Sequence, residues 1–202
     1  MKIGLFGGTF DPIHNAHLFL AESARVSEHL DRVLFLPTNQ QQYREKANVS
    51  PEHRCAMILA AIESNAAFSL DTTDLQPDAT GYTADLLPRL RTKYPDDEFT
   101  FIIGADSLVN ATWVRFDDVL NALDRFIIAP RSGSLPDALA RAVAAVPTRL
   151  RERIGTLNLP ELPESASLIR TLIAQNKNIR YLVPDAVWNY IVAQKLYEPA
   201  VA

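Results

Sequence analysis

The chain has 202 residues, 48% of them hydrophobic and 22% charged, with a formal charge of -4 at neutral pH. That balance suits one globular domain over residues 1–202 and gives no general basic surface for nucleic acid, so any polyanion must be held locally. The lone Cys55 excludes a disulfide framework and a Cys-based zinc site, which fits a reducing cytoplasm, and no apolar run reaches the length of a signal-peptide core or a membrane span.

The first predicted element is a buried strand over residues 2–6, followed by a helix over 16–24 that puts Leu18, Leu20 and Ala21 on one face. Between them "GGTFDPIHNAH", residues 7–17, is a strand-to-helix corner. A second strand is predicted in "RVLFLP" (32–37). The polar stretch 37–50, "PTNQQQYREKANVS", is either a substrate loop or a plain connection, and it ends at a helix with Ser50 as cap and Pro51 in first position. Further strands are expected at 68–71, 99–103 and 125–129. Pro88 in "YTADLLPRLRTKY" predicts a kink or a start later than Thr83 for the helix there. Residues 132–164 mix a helix with Pro-rich turns and carry no assignable chemistry. The alternation of strands and helices predicts an α/β, Rossmann-like, doubly wound and mostly parallel sheet with helices on both faces. In such sheets ligands lie at the carboxyl ends of strands, which singles out residues 7–14 and "GADS" (104–107).

Three constellations could carry chemistry. In the corner, glycines let a ligand approach the backbone, and the helix start offers N–H groups and the positive end of a dipole, a combination suited to phosphate. His14 and His17, three apart at that helix start, can donate to the same anion. A zinc pair is the competing reading, although a third protein ligand is not in view; incidental surface histidines are another. In "ESASLIR" (164–170), Ser165 or Ser167 can cap a helix, and Arg170 follows Ser167 on the same face. That too reads as a phosphate seat or as ordinary capping. Finally, Trp113 offers a stacking face, and Asp106 after a strand can accept from a ribose, although a core Trp and a capping Asp are the plainer readings.

Taken together and in order, "GLFGGTFDPIHNAH", "GYTADLL", "FIIGADSL" with Trp113, "FIIAPRSG", "SASLIR" and "YLVPDAVWNYIVAQKLY" resemble the bacterial nicotinate-nucleotide adenylyltransferases, within the nucleotidyltransferases that carry an HxGH motif. The resemblance runs almost end to end, with the Ser-containing motif and C-terminal helices at about 164–198. It implies that Gly8, Thr9 and Phe10 line the nucleotide site, that His14 and His17 hold ATP phosphates, and that Ser165, Ser167 and Arg170 grip the triphosphate from the other side. Gly104 and Asp106 would meet the adenosine. Tyr82, Thr83 and Trp113 would receive the nicotinate ring, and Arg131 would stand near the acceptor. Two departures stand out. Ala16 occupies the Gly position of HxGH, and Gln41, Gln42, Tyr43 and Arg44 replace a Pro-Pro-His-Lys/Arg segment, so that Arg44 keeps only the cation.

The implied reaction is attack by the 5'-phosphate of nicotinate mononucleotide on the α-phosphorus of ATP, giving nicotinate adenine dinucleotide and pyrophosphate. The attacking phosphate is already largely dianionic, so no general base is required, and His14, His17, Arg44 and Arg170 would supply charge together with Mg2+ held chiefly by ATP oxygens rather than by a protein metal site. Other readings stay open: transfer to nicotinamide mononucleotide or phosphopantetheine, a catalytically silent nucleotide-binding regulator, or an unrelated doubly wound binding protein. A homo-oligomer also stays open.

Overall fold

Continuous apolar runs bounded by polar turns become the strands of a parallel sheet, because a strand covered by helices on both faces has no solvent side to keep polar. The computed structural model describes residues 1–38, 47–105, 108, 113–129, 140, 141, 143, 144, 146–160 and 162–199. Among these, the chain runs β1 (Lys2–Gly8), α1 (Asn15–Ser27), β2 (Arg32–Pro37), α2 (Pro51–Ile62), β3 (Phe68–Leu70), a 3-10 turn (Thr73–Leu75) and α3 (Thr83–Lys93). It continues through β4 (Glu98–Gly104), α4 (Phe116–Asn121), β5 (Arg125–Ala129), α5 (Thr148–Arg151), β6 (Ile154–Thr156), α6 (Ala166–Ala174) and α7 (Asp185–Ala193). The strands form a six-stranded sheet in the order β3-β2-β1-β4-β5-β6, and each neighbouring pair is parallel.

Successive residues of each strand serve opposite faces. Phe6, Val33, Phe35, Ile102 and Ile127 join one apolar cluster with Ala21 and Ala24 of α1, Met57 and Ile58 of α2, Ile169 of α6 and Val187 and Ile191 of α7. Leu5, Leu34, Phe101 and Ile128 join the other with Leu87 and Leu90 of α3, Val119 and Leu120 of α4 and Leu150 of α5. The sheet order reverses between β1 and β4, and at such a switch point a crevice opens beyond the carboxyl ends of the strands.

Two expectations need correction. The helix at Thr83 does not start late: α3 begins there and carries Pro88 inside it, with Leu86, Leu87 and Leu90 buried. Apolar packing outweighs the one backbone bond that proline removes. The region 132–164 also contains an unpredicted strand, β6, pairing Ile154, Gly155 and Thr156 with Phe126, Ile127 and Ile128. Three residues with a central glycine give no strand periodicity; the neighbouring edge of β5 makes the strand. No helix among the described residues is long and apolar enough to cross a membrane.

Asp71, at the end of β3, accepts hydrogen bonds from Lys93 Nζ at 2.8 Å, Tyr94 Oη at 2.9 Å and the Thr73 N–H at 2.8 Å. Burial is the largest single influence on its pKa and pushes it up, but the donors from Lys93, Thr73 and Tyr94 together hold it below the ordinary value. A carboxyl whose folded pKa is depressed contributes stability that is present above its unfolded pKa of about 4 and is lost as pH falls through the folded value. Asp71→Asn should therefore cost about 2 kcal/mol in urea unfolding at pH 7, and the difference from the parent chain should shrink on acidification. An unchanged difference at low pH would contradict this account.

Candidate active site

A cleft of about 430 Å³ opens at the switch point, and its wall draws on residues from β1, α1, α3, β4 and α6. The corner after β1 is tightly set. Phe10 has a left-handed φ of 51° while its ring lies in the core, and a Cβ placed on Gly8 would come within 2.9 Å of that ring. Gly8 is therefore demanded by the fold itself, not only by a ligand. Gly104 differs: a Cβ there would meet nothing within 4 Å among the described residues, so that side of the strand end is open to the cleft.

His14 is the N-cap of α1, with extended backbone, and His17 is its third residue. The His14 N–H donates to His17 Nδ1 at 3.2 Å. In neutral His17 that acceptor role assigns the proton to Nε2, making Nε2 the donor. The two imidazoles stack with centroids 3.7 Å apart, and Phe10 meets the His17 ring edge-on at 5.1 Å. His14 is 1% exposed, so both rings are held by packing. At the helix start, the Asn15 N–H is taken by the Leu182 carbonyl and the His17 N–H by the His14 carbonyl. Among the described residues the N–H of Ala16, which lines the cleft, takes no such backbone partner, so it can turn to an anion. As a helical residue, Ala16 loses nothing by not being glycine.

The second helix start in the cleft is that of α6. Ser165 is its N-cap, and its Oγ accepts from the Leu168 N–H at 3.2 Å. Ser165 thus has the capping role, while Ala166 and Ser167 present the first-turn donors to the cleft. Half-buried Arg170 donates from NH1 to the Asp11 carbonyl at 2.8 Å, which fixes one arm of its guanidinium. Two positive helix ends, two imidazoles and an arginine consequently border one volume.

Thr83, the first residue of α3, and Trp113 line the same cleft. Trp113 is held edge-on by Phe126 at 5.7 Å and by Phe101 at 6.4 Å. Of the residues singled out in the sequence, Gly8, Thr9, Phe10, His14, His17, Gly104, Ser165, Ser167, Arg170, Thr83 and Trp113 come together here. Tyr82, the N-cap of α3, falls between two residues of that wall, Gly81 and Thr83, and is not itself one of the described residues that line it. Arg44 with its loop segment, Asp106 and Arg131 lie outside the described residues.

Sequence reasoning gave no role to Asp11, Asn48, Arg54 or Tyr197. Arg54 is 2% exposed, and its NH1 donates to the carbonyls of Thr9 at 2.8 Å and Thr38 at 3.1 Å, joining the ends of β1 and β2. Burial lowers its pKa, against the opposing charge of Asp11. A signal for Arg54 was present: it shares the buried stripe of α2 with Met57, Ile58 and Ile62, where a lone charge has no reason to be unless it meets partners. Among the described residues, no three His, Cys, Asp or Glu side chains gather where they could hold a metal ion.

The cytidylyltransferase-like family matches residues 5–179. A relative from Bacillus pumilus, named a probable nicotinate-nucleotide adenylyltransferase, is 37% identical over 98% of each chain. One of the same name from Lachnoclostridium phytofermentans is 35% identical over 97% of this chain and 98% of its own. Among solved structures, the Plasmodium falciparum nicotinic acid mononucleotide adenylyltransferase complexed with NaAD superposes with a TM-score of 0.77 over 97% of both chains at 19% identity, a likeness of fold. With near-complete coverage, and with the histidine pair and the second helix start brought to one cleft, the chain belongs to the cytidylyltransferase-like family and, within it, to the nicotinate-nucleotide adenylyltransferases.

Proposed function

We propose that the chain works as one nucleotidyltransferase domain that joins the AMP moiety of ATP to nicotinate mononucleotide. The observation that carries the reading is the gathering of two helix N-termini, with His14, His17, Ser167 and Arg170, at one cleft that also takes in Thr83 and Trp113. A phosphate oxygen of the mononucleotide forms a bond to the α-phosphorus of ATP. The bond from that phosphorus to the bridging oxygen of the β-phosphate breaks, and pyrophosphate leaves with the electron pair. The attacking oxygen is already anionic, so the protein has to hold the two phosphates in line and oppose the charge that accumulates on them. Ala16, Ala166 and Ser167 supply backbone donors, His14 and His17 ring donors, and Arg170 a cation. Trp113 supplies a flat face for the pyridine ring to stack on, and Gly104 leaves room for the adenosine. The family resemblance further assigns Arg44 to the phosphates, Asp106 to the ribose and Arg131 to the acceptor.

Asp11 and Asp74 belong to the cleft wall, but among the described residues no three His, Cys, Asp or Glu side chains gather where they could hold a bare divalent cation. Magnesium accordingly enters as part of the substrate MgATP, carried on the nucleotide oxygens.

The reading is tested by pyrophosphate release from MgATP with nicotinate mononucleotide, nicotinamide mononucleotide and phosphopantetheine in parallel. Turnover at least tenfold faster with the nicotinate compound is expected. Equal or faster turnover with another acceptor would change the substrate, and ATP binding without turnover on any of them would overturn the transferase reading.

A further inference from the structure

Beside the phosphate wall lies a carboxylate that the reaction does not use. Asp11 is 3% exposed. Its Oδ1 accepts from the Tyr197 hydroxyl at 2.8 Å, and its Oδ2 accepts from the Asn48 N–H at 2.7 Å and from Asn48 Nδ2 at 2.8 Å. Its backbone carbonyl is the acceptor that holds Arg170. A buried negative charge beside an anion site opposes anion binding, so its presence calls for a compensating benefit. Part of the charge is offset by Arg54, whose guanidinium feels the Asp11 charge as a partial counterweight to its own burial.

The benefit is rigidity. Donors from residues 48 and 197 hold both carboxylate oxygens, which pins residue 11 as a whole and with it the carbonyl that takes one arm of Arg170. An arginine with one arm fixed has lost most of its rotamer freedom before ligand arrives, and its remaining N–H groups meet a phosphate at lower entropic cost. On the adenylyltransferase reading, we infer that Tyr197 and Asp11 are positioning residues for Arg170, the tail hydroxyl setting the triphosphate grip from behind the cleft wall.

Two features separate the hydroxyl's role from simple anchoring of the tail. Leu196 is buried in the core cluster, with Tyr197 packed against it, so the segment has an apolar anchor that does not need the phenol oxygen. Burial, the charge of Asp11 and the hydrogen bond to it all raise the Tyr197 pKa far above its ordinary value. The hydroxyl therefore remains a donor throughout the neutral range.

The test is a double-mutant cycle on ATP binding, with dissociation constants read from titrated thermal shifts, which register weak ligands as well as tight ones. Tyr197→Phe in the otherwise unaltered chain should weaken MgATP binding roughly tenfold, within the usual range for coupled neighbours. In an Arg170→Ala background the same change should alter binding less than about twofold, because the residue it positions is gone. Equal losses in both backgrounds, or unchanged binding in Tyr197→Phe, would overturn the inference and leave Tyr197 as an anchor only. If the ligand-free melt shows Tyr197→Phe to be unfolded, Asn48→Ala, which releases the other oxygen of Asp11, replaces it in the cycle with the same two deciding outcomes. The readout is ATP affinity and not turnover. Failure of every acceptor in the pyrophosphate assay would therefore sink the transferase reading while the cycle still decided the role of Tyr197.

Discussion

Replacing His17 with alanine is expected to lower the rate of pyrophosphate release at saturating substrates by about a hundredfold or more, the usual cost of removing one preorganised donor to a transition-state anion. The structure gives the reason for placing so much on one ring. His17 Nδ1 is occupied by the His14 N–H at 3.2 Å, so the neutral ring has one donor and its tautomer is set before substrate arrives. Stacking on His14 and the edge contact from Phe10 hold the ring plane, so little reorganisation remains at the moment of reaction. A donor of this kind is worth more to the developing charge on the phosphates than to ground-state ATP, and the loss should fall on kcat more than on the ATP KM. The check is steady-state kinetics alongside a thermal melt. Turnover within a few-fold of the parent chain, with the fold intact, would remove the electrostatic role assigned to His17.

Arg170→Lys should retain the charge and still lose at least about tenfold in kcat/KM for ATP, and Arg170→Ala about a hundredfold or more. The guanidinium gives NH1 to the Asp11 carbonyl at 2.8 Å and keeps other N–H groups for the ligand. A lysine ammonium is a point charge on a flexible stem and cannot reproduce that fork while reaching the same phosphate. Full activity in the lysine variant would mean that only net charge counts at this position, and that the anchored geometry of Arg170 is incidental. Raising the salt concentration should narrow the gap between the arginine and alanine forms if the contact is exposed, and leave it largely unchanged if the half-buried site shields it.

The parts of this fold that were legible in the sequence are those with a local physical cause. The strands at 32–37 and 125–129 have the predicted bounds because uninterrupted apolar runs between polar turns are sufficient evidence of a strand buried on both faces. Ser50 before Pro51 and Ser165 before α6 take their cap positions because capping depends on neighbours within one turn. The strand-to-helix corner at residues 7–17 was legible for the same reason: glycines, a helix start and histidines three apart are all local features. Against this, β6 has no period of its own and exists through pairing with β5, and Pro88 sits inside a helix that tertiary packing holds together.

What the sequence by itself determined was therefore the class of fold and the family resemblance carried by the order of its motifs along the chain. The folded chain alone decided that the two helix starts share one cleft and that residues 11, 48, 54, 170 and 197 meet at its wall. Tyr197 and Asp11 are far apart in sequence, and their hydrogen bond has no local signature. A residue's partner across a fold depends on how the whole sheet stacks its helices, and no spacing within the chain records that distance.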